Sequence, residues 1–202
     1  MATNSSQLDQ QFPALVLAAG RSARMGRAKQ ILNVPGQGTL LGHAIGQARV
    51  LSDSVSVVVG ARYPLIRYRT RQPPSRWIYC ADWQQGMSAS LAAGINSLSP
   101  RARGVYVLVG DQPLLSEQGL FRLRQGVLRA PEEVWAADYG LRVGVPAWIP
   151  RRLWSDVLSL KGDAGAGRVL NQVEANPVQI AGVELDVDTP AHWQRIKRAL
   201  AE

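Results

Sequence analysis

Between residues 20 and 29, the sequence GRSARMGRAK packs four cations, Arg21, Arg24, Arg27 and Lys29, among glycines and other small residues. Gly20, Ser22, Ala23 and Gly26 let a ligand approach the backbone, and a turn rich in free N–H groups attracts phosphate oxygens. Arg24 and Lys29 add full charges, and a guanidinium can grip a phosphate through two parallel hydrogen bonds. Four neighbouring cations repel one another unless a polyanion relieves them or some point into water. The fitting chemistry is the binding of a small compound rich in phosphate, such as a triphosphate. By pattern alone, an exposed basic loop remains the competing reading. The segment is not a Walker A loop, because the Gly-Lys-Ser/Thr ending is missing, and it is not a dinucleotide fingerprint.

Carboxylates supply the second half of such a site. Asp111 lies in GDQP (110–113), directly after the apolar run 105–109, at the end of an expected strand and before a turn stiffened by proline. A carboxylate there is well placed to hold a metal, although an isolated aspartate is more often a surface residue. DVDTP supplies Asp186 and Asp188. Strand alternation would put both on one face. GMSASLAAG (86–94) opens a helix, and Ser88 reads either as a donor to a ligand or as an ordinary helix cap. His43 and His192 are isolated and read as structural or exposed, so no Ser-His-Asp arrangement exists. Cys80 is the single cysteine. It forms no intrachain disulfide, suits a cytoplasmic setting and reads as packing.

The elements that must position these groups follow from periodicity. ALVLAA (14–19), VSVVVG (55–60) and GVYVLV (104–109) read as buried strands, and WIYC (77–80) as another. Helices are expected over about 39–51, in the arginine-rich stretch from 61, over 87–98 and over 116–130. Later, 133–140 and 142–150 read as shorter strands, 151–160 and 165–173 as helical, and 190–202 as a terminal helix. Strands alternating with helices specify a mostly parallel sheet covered on both faces, with ligands beyond the carboxyl ends of the strands. Residues 131–185 read as an appended lobe rather than a separate domain. Residues 1–12 are polar, lack the order of a secretory signal and are expected to be a disordered tail; 13–202 are expected to form one domain.

Bulk properties narrow the partners. The 202 residues carry a net charge of +8 and are 46% hydrophobic, enough for a core and biased toward anionic ligands. Aromatics reach only 6%, and basic residues outside 21–29 are scattered, which disfavours nucleic acid. The apolar runs are too short to span a membrane.

One resemblance ties these pieces together. LAAGRSARMGRAK (17–29) resembles the signature L-A-A-G-x-S-x-R-M-G-x-x-K of the MobA-like nucleotidyltransferases, and more narrowly the molybdenum cofactor cytidylyltransferase branch. GMSASLAAG, GDQP and DVDTPAHW (186–193) match in order, and GDAGAGRVL (162–170) resembles that branch's G-D-x-G-A-R segment. The resemblance implies a Rossmann-like three-layer α/β nucleotidyltransferase fold. It implies transfer of CMP from CTP to the terminal phosphate of molybdenum-bound molybdopterin, with pyrophosphate released and Mg2+ as cofactor. Leu17, Ala18, Ala19 and Gly20, with Arg21, Ser22, Gly26 and Lys29, would bind the nucleotide. Gly86, Met87 and Ser88 would face it from the other side. Lys29, Arg24 and Asp111 would be catalytic, and Asp111 and Asp188 would hold the metal. A magnesium ion takes one or two carboxylates and completes its shell with phosphate oxygens and water. Asp186 would be an outer group or simply exposed.

Two departures fall where the acceptor is expected. Gly144-Val145-Pro146 stands where the branch has Gly-His-Pro, and Gly167 stands where it has arginine, with Arg168 one place on. They leave open another acceptor phosphate or another NTP. A different class, a non-catalytic chaperone that hands the cofactor to a molybdenum hydroxylase, is the other alternative. The chain is expected to be a cytoplasmic monomer whose further partner is such a hydroxylase client or its chaperone.

Overall fold

The run ALVL forms strand β1 (Ala14–Leu17), buried throughout. Its side chains and those just beyond it alternate between two apolar clusters: Ala14, Val16 and Ala18 join one, and Leu15, Leu17 and Ala19 the other. A strand apolar on both faces requires cover on both faces of its sheet. The computed structural model, which describes residues 10–200, supplies it.

After β1 come a short hairpin, β2 (Asn33–Val34) and β3 (Gly38–Thr39), and helix α1 (Leu40–Leu51). Thr39 caps α1 by accepting from the Gly42 N–H at 3.1 Å. Strand β4 (Val55–Val59), helix α2 (Tyr63–Arg69), strand β5 (Arg76–Tyr79) and helix α3 (Met87–Asn96) follow. Then come β6 (Gly104–Val109), α4 (Glu117–Arg129), β7 (Val134–Asp138) and β8 (Val143–Pro150). The chain continues through α5 (Trp154–Leu158), α6 (Gly167–Leu170), β9 (Ala175–Val178) and α7 (Pro190–Ala199).

Seven strands make one sheet in the order β5-β4-β1-β6-β8-β7-β9. β1 pairs in parallel with β4 on one side and β6 on the other, and only β8 runs against its neighbours. α1 and α4 pack on one face through Ala44, Ile45, Leu120 and Leu123. α3, α5 and α6 cover the other through Leu91, Ile95, Val157 and Leu170. This is the expected Rossmann-like, three-layer, mostly parallel architecture. A third cluster, in which Met25, Leu32 and Leu40 meet Val187, Trp193 and Ile196, ties α7 to the segment after β1.

Several expectations change. Residues 134–178 add β7, β8 and β9 to the main sheet rather than forming a lobe. β9 escapes periodicity because ANPV contains Asn176 and Pro177, poor strand residues tolerated at an edge. The helical stretches after β8 are shorter than expected: 151–153 form a 3-10 turn before α5, and α6 spans one turn. No strand forms over 182–189, which is turn and coil, so alternation is not what orients Asp186 and Asp188. Residues 1–9 of the expected tail lie outside the described residues. Phe12, however, stacks on Trp148 with ring centroids 5.4 Å apart and belongs to the packed body. Among the described residues, no helix is long and apolar enough to cross a membrane.

Candidate functional site

The sheet's connections diverge at β1, with β4 leaving to one side and β6 to the other. In open α/β sheets that switch point opens a crevice beyond the carboxyl ends of the strands. A cleft of about 890 Å³ opens there. One wall is the segment after β1. Ser22 is left-handed at φ 59°, and Ala23–Met25 make a 3-10 turn closed by Gly26 at φ 71°. Met25 is buried and anchors this turn in the cluster shared with α7.

Gln30 holds the same segment from beneath. Its amide Nε2 donates to the Ala18 carbonyl at 3.0 Å and to the Gly20 carbonyl at 2.9 Å, while Oε1 accepts from the Ser22 hydroxyl at 3.3 Å. This buried glutamine leaves no motif in the sequence, because its bonds depend on the folded path of the loop. The four cations divide. Arg21, Arg24 and Arg27 are exposed, and Arg21 and Arg24 line the cleft. Lys29 turns inward.

Lys29 is the centre of the polar floor. Its Nζ donates to Asp111 Oδ2 at 2.5 Å and to Asp188 Oδ1 at 3.2 Å. Arg24 reaches the other oxygen of Asp188 at 3.0 Å. Asp111 follows β6, where the Gly110 N–H donates to the Leu17 carbonyl at 3.0 Å. Asp188 arrives from coil: the Val187 N–H donates to the Asp111 carbonyl at 2.9 Å, Val187 is buried, and Thr189 caps α7 by accepting from the His192 N–H. Burial pulls the Lys29 ammonium pKa down more than any other single influence. The two carboxylates together outweigh it and hold the lysine above its ordinary value.

The donor set suits a hard divalent cation. Asp111 Oδ1 is buried and has no hydrogen-bond partner among the described residues, an acceptor left over after Lys29 is satisfied. Asp188 shares the same ammonium. Among the described residues, no group of three or more His, Cys, Asp and Glu side chains is arranged to hold a metal. Two carboxylates, completed by phosphate oxygens and water, match how magnesium is usually bound beside a nucleotide.

The opposite wall is Trp83–Gln85, a 3-10 turn, and the start of α3. Trp83 packs directly against Gly60: a Cβ there would come within 2.5 Å of the tryptophan. Gly86, at φ 103°, has the Gly162 carbonyl where its own Cβ would stand, at 2.4 Å. Met87 and Ser90 line the cleft. Ser88 does not: its hydroxyl donates to the Gly162 carbonyl at 2.8 Å and its N–H to the same oxygen at 3.1 Å. Gly26 and Arg168 also lie outside the lining. His43 Nε2 donates to the Pro113 carbonyl at 2.7 Å as a structural contact, His192 is exposed, and Cys80 is buried. Val145 O accepts from the Tyr139 hydroxyl at 2.6 Å, and its side chain packs on the core.

The family model for the MobA-like NTP transferase domain matches residues 14–178. The purine catabolism protein PucB of Bacillus subtilis (strain 168) is 32% identical over 200 residues, covering 92% of this chain and 95% of PucB. A homologue of Mycobacterium tuberculosis Rv0371c from Mycobacterium sp. strain JC1 superposes with a TM-score of 0.80 at 26% identity, over 95% of this chain and 98% of that one. Rv0371c of Mycobacterium tuberculosis H37Rv in complex with manganese superposes with a TM-score of 0.78 at 27% identity, over 94% and 99%.

Proposed function

The chain belongs to the MobA-like NTP transferase family, and on that premise we propose that it moves CMP from CTP to the terminal phosphate of molybdenum-bound molybdopterin, releasing pyrophosphate. The observation that carries this reading is the lysine between two carboxylates, one of them with a buried oxygen unpartnered among the described residues, under the turn at the β1 switch point. The acceptor is a phosphate monoester, already anionic at neutral pH, so the reaction needs no general base and no protein nucleophile. It needs alignment and charge neutralisation. Backbone N–H groups of 20–24 and the guanidinium groups of Arg21 and Arg24 hold the triphosphate. Lys29 exchanges part of its contact with Asp111 and Asp188 for phosphate oxygens as charge builds on the departing pyrophosphate.

Asp111 and Asp188 hold Mg2+. Manganese in the related Rv0371c supports a divalent ion. Bound there, the ion neutralises phosphate charge. Ala19, where guanylyl-transferring relatives have glycine, and Met87 narrow the slot beside the base and favour a pyrimidine. A relative named for purine catabolism supports a molybdenum hydroxylase as the client, since oxidising a purine ring carbon is hydroxylase chemistry. A cytoplasmic monomer goes with this reading. The test is pyrophosphate release by the purified protein with Mg2+, molybdenum-bound molybdopterin and each of the four NTPs at equal, subsaturating concentration. CTP should be the best donor. GTP as the best donor overturns the cytidylyl assignment, and no release with any NTP returns the protein to the chaperone alternative.

A further inference from the structure

We infer that Asp163 is a specificity-determining residue that accepts a hydrogen bond from the exocyclic amine of the donor's base. The inference rests on the nucleotidyltransferase reading above. Three carboxylates line the cleft: Asp111, Asp188 and Asp163. The first two are paired with Lys29 and Arg24. Asp163 has no ion pair or side-chain hydrogen bond among the described residues, and no role in holding phosphate, which it would repel. A carboxylate only accepts, so its partner in a nucleotide must be a neutral donor.

Asp163 is exposed, and the backbone of 162–165 that carries it packs on the start of α3. Gly162 O takes both bonds from Ser88. Asp163 Oδ1 lies 2.7 Å from where a Gly86 Cβ would stand, and a Cβ on Gly165 would come within 2.6 Å of Met87 Sδ. The carboxylate therefore sits beside Gly86 and Met87, with Trp83 on the same wall. These offer apolar area to the face of a base, while the cations lie on the other wall. Cytosine presents a 4-amino donor, and carboxylates accept from that group. Uracil presents a carbonyl at the same place, which would face the carboxylate oxygen to oxygen.

The test is calorimetric binding of CTP and UTP with Mg2+ and without acceptor, so that no turnover occurs, to the wild type, Asp163→Asn and Asp163→Ala. The wild type should favour CTP about tenfold, the effect of one mismatched polar contact. Asp163→Asn, whose amide can both accept and donate, should bring the two affinities together. Asp163→Ala should weaken CTP and tighten UTP, because it removes the accepted bond from one and the facing oxygen from the other. An unchanged ratio, or equal losses for both nucleotides, overturns the inference. A loss that disappears when 2′-deoxy-CTP replaces CTP shows the carboxylate holding the sugar, and overturns it too. If purines bind better than CTP, the cytidylyl reading fails on its own. ATP against ITP, which differ by the same amine-to-carbonyl exchange, then decides the role of Asp163.

Discussion

At the residue scale, the floor of the cleft is a charge balance among a few side chains. Lys29 sits between Asp111 and Asp188, each about one-fifth exposed at the side chain. Removing one member of a desolvated ion pair leaves its partner's charge uncompensated. Lys29→Ala should therefore do two separable things. Turnover should fall by about two to three orders of magnitude, as for loss of one preorganised electrostatic group. Without metal, the melting temperature should drop by about 2–4 °C for each kcal/mol lost. Added Mg2+ should then restore more stability to the variant than it gives the wild type, because a cation bound only by the folded state stabilises it. Near-normal turnover in the folded variant would sink the role of Lys29. Asp111→Asn and Asp188→Asn should each abolish most activity, with the double variant little worse than either, since groups acting as a unit are not additive. Fully additive losses would count against a shared metal.

At the element scale, the site depends on two short segments that no periodicity describes. The first is the turn after β1, stapled by Gln30. The second is 161–166, which crosses from the later part of the chain to pack on α3. Gly86 is the contact on which the second depends, being both at positive φ and without room for a side chain. Gly86→Ala should push 161–166 away and lower activity at least tenfold, with a cost of about 1–3 kcal/mol typical of such strain. Wild-type kinetics and melting temperature in this variant would refute the arrangement. Much of this architecture is legible in the sequence. The buried runs of β1, β4 and β6 and the spacing of α1, α3 and α4 give the sheet and its switch point, and the quoted motifs bring Lys29, Asp111 and Asp188 together. Gln30 was not legible, because an amide that bonds to carbonyls leaves no pattern. Asp163 sat inside a recognised segment, but its approach to Gly86 is a contact between segments 77 positions apart. Ser88 reads in sequence as a ligand donor or a helix cap, and its hydroxyl is neither: it donates to the Gly162 carbonyl, a partner 74 positions away that no local pattern shows.

At the scale of the whole molecule, charge and topology act on the same end of the sheet. β5, β4, β1 and β6 surround the switch point and the cleft, while β8, β7 and β9 extend the sheet toward the departures at Val145 and Gly167. The net charge of +8 gives the molecule a positive field that favours a polyanionic donor. Little of that attraction can come from Lys29, already neutralised by two carboxylates. It must come from exposed groups such as Arg21, from Arg24, whose side chain is 72% exposed, and from the field of the whole surface. Such charges are screened by salt, with a Debye length of about 10 Å at 0.1 M and about 3 Å at 1 M. The KM for CTP should therefore rise about tenfold between roughly 0.05 M and 0.5 M KCl, while kcat changes far less because Lys29 and its partners are shielded from the ions. Cytidine, which has the base and sugar but no phosphate, should inhibit with a constant nearly independent of salt. The measurement is CTP kinetics and cytidine inhibition across that salt series. A flat KM, or a cytidine constant that moves as much as the KM, would mean that the basic surface takes no part in gathering the nucleotide and that the field of the fold serves some other partner.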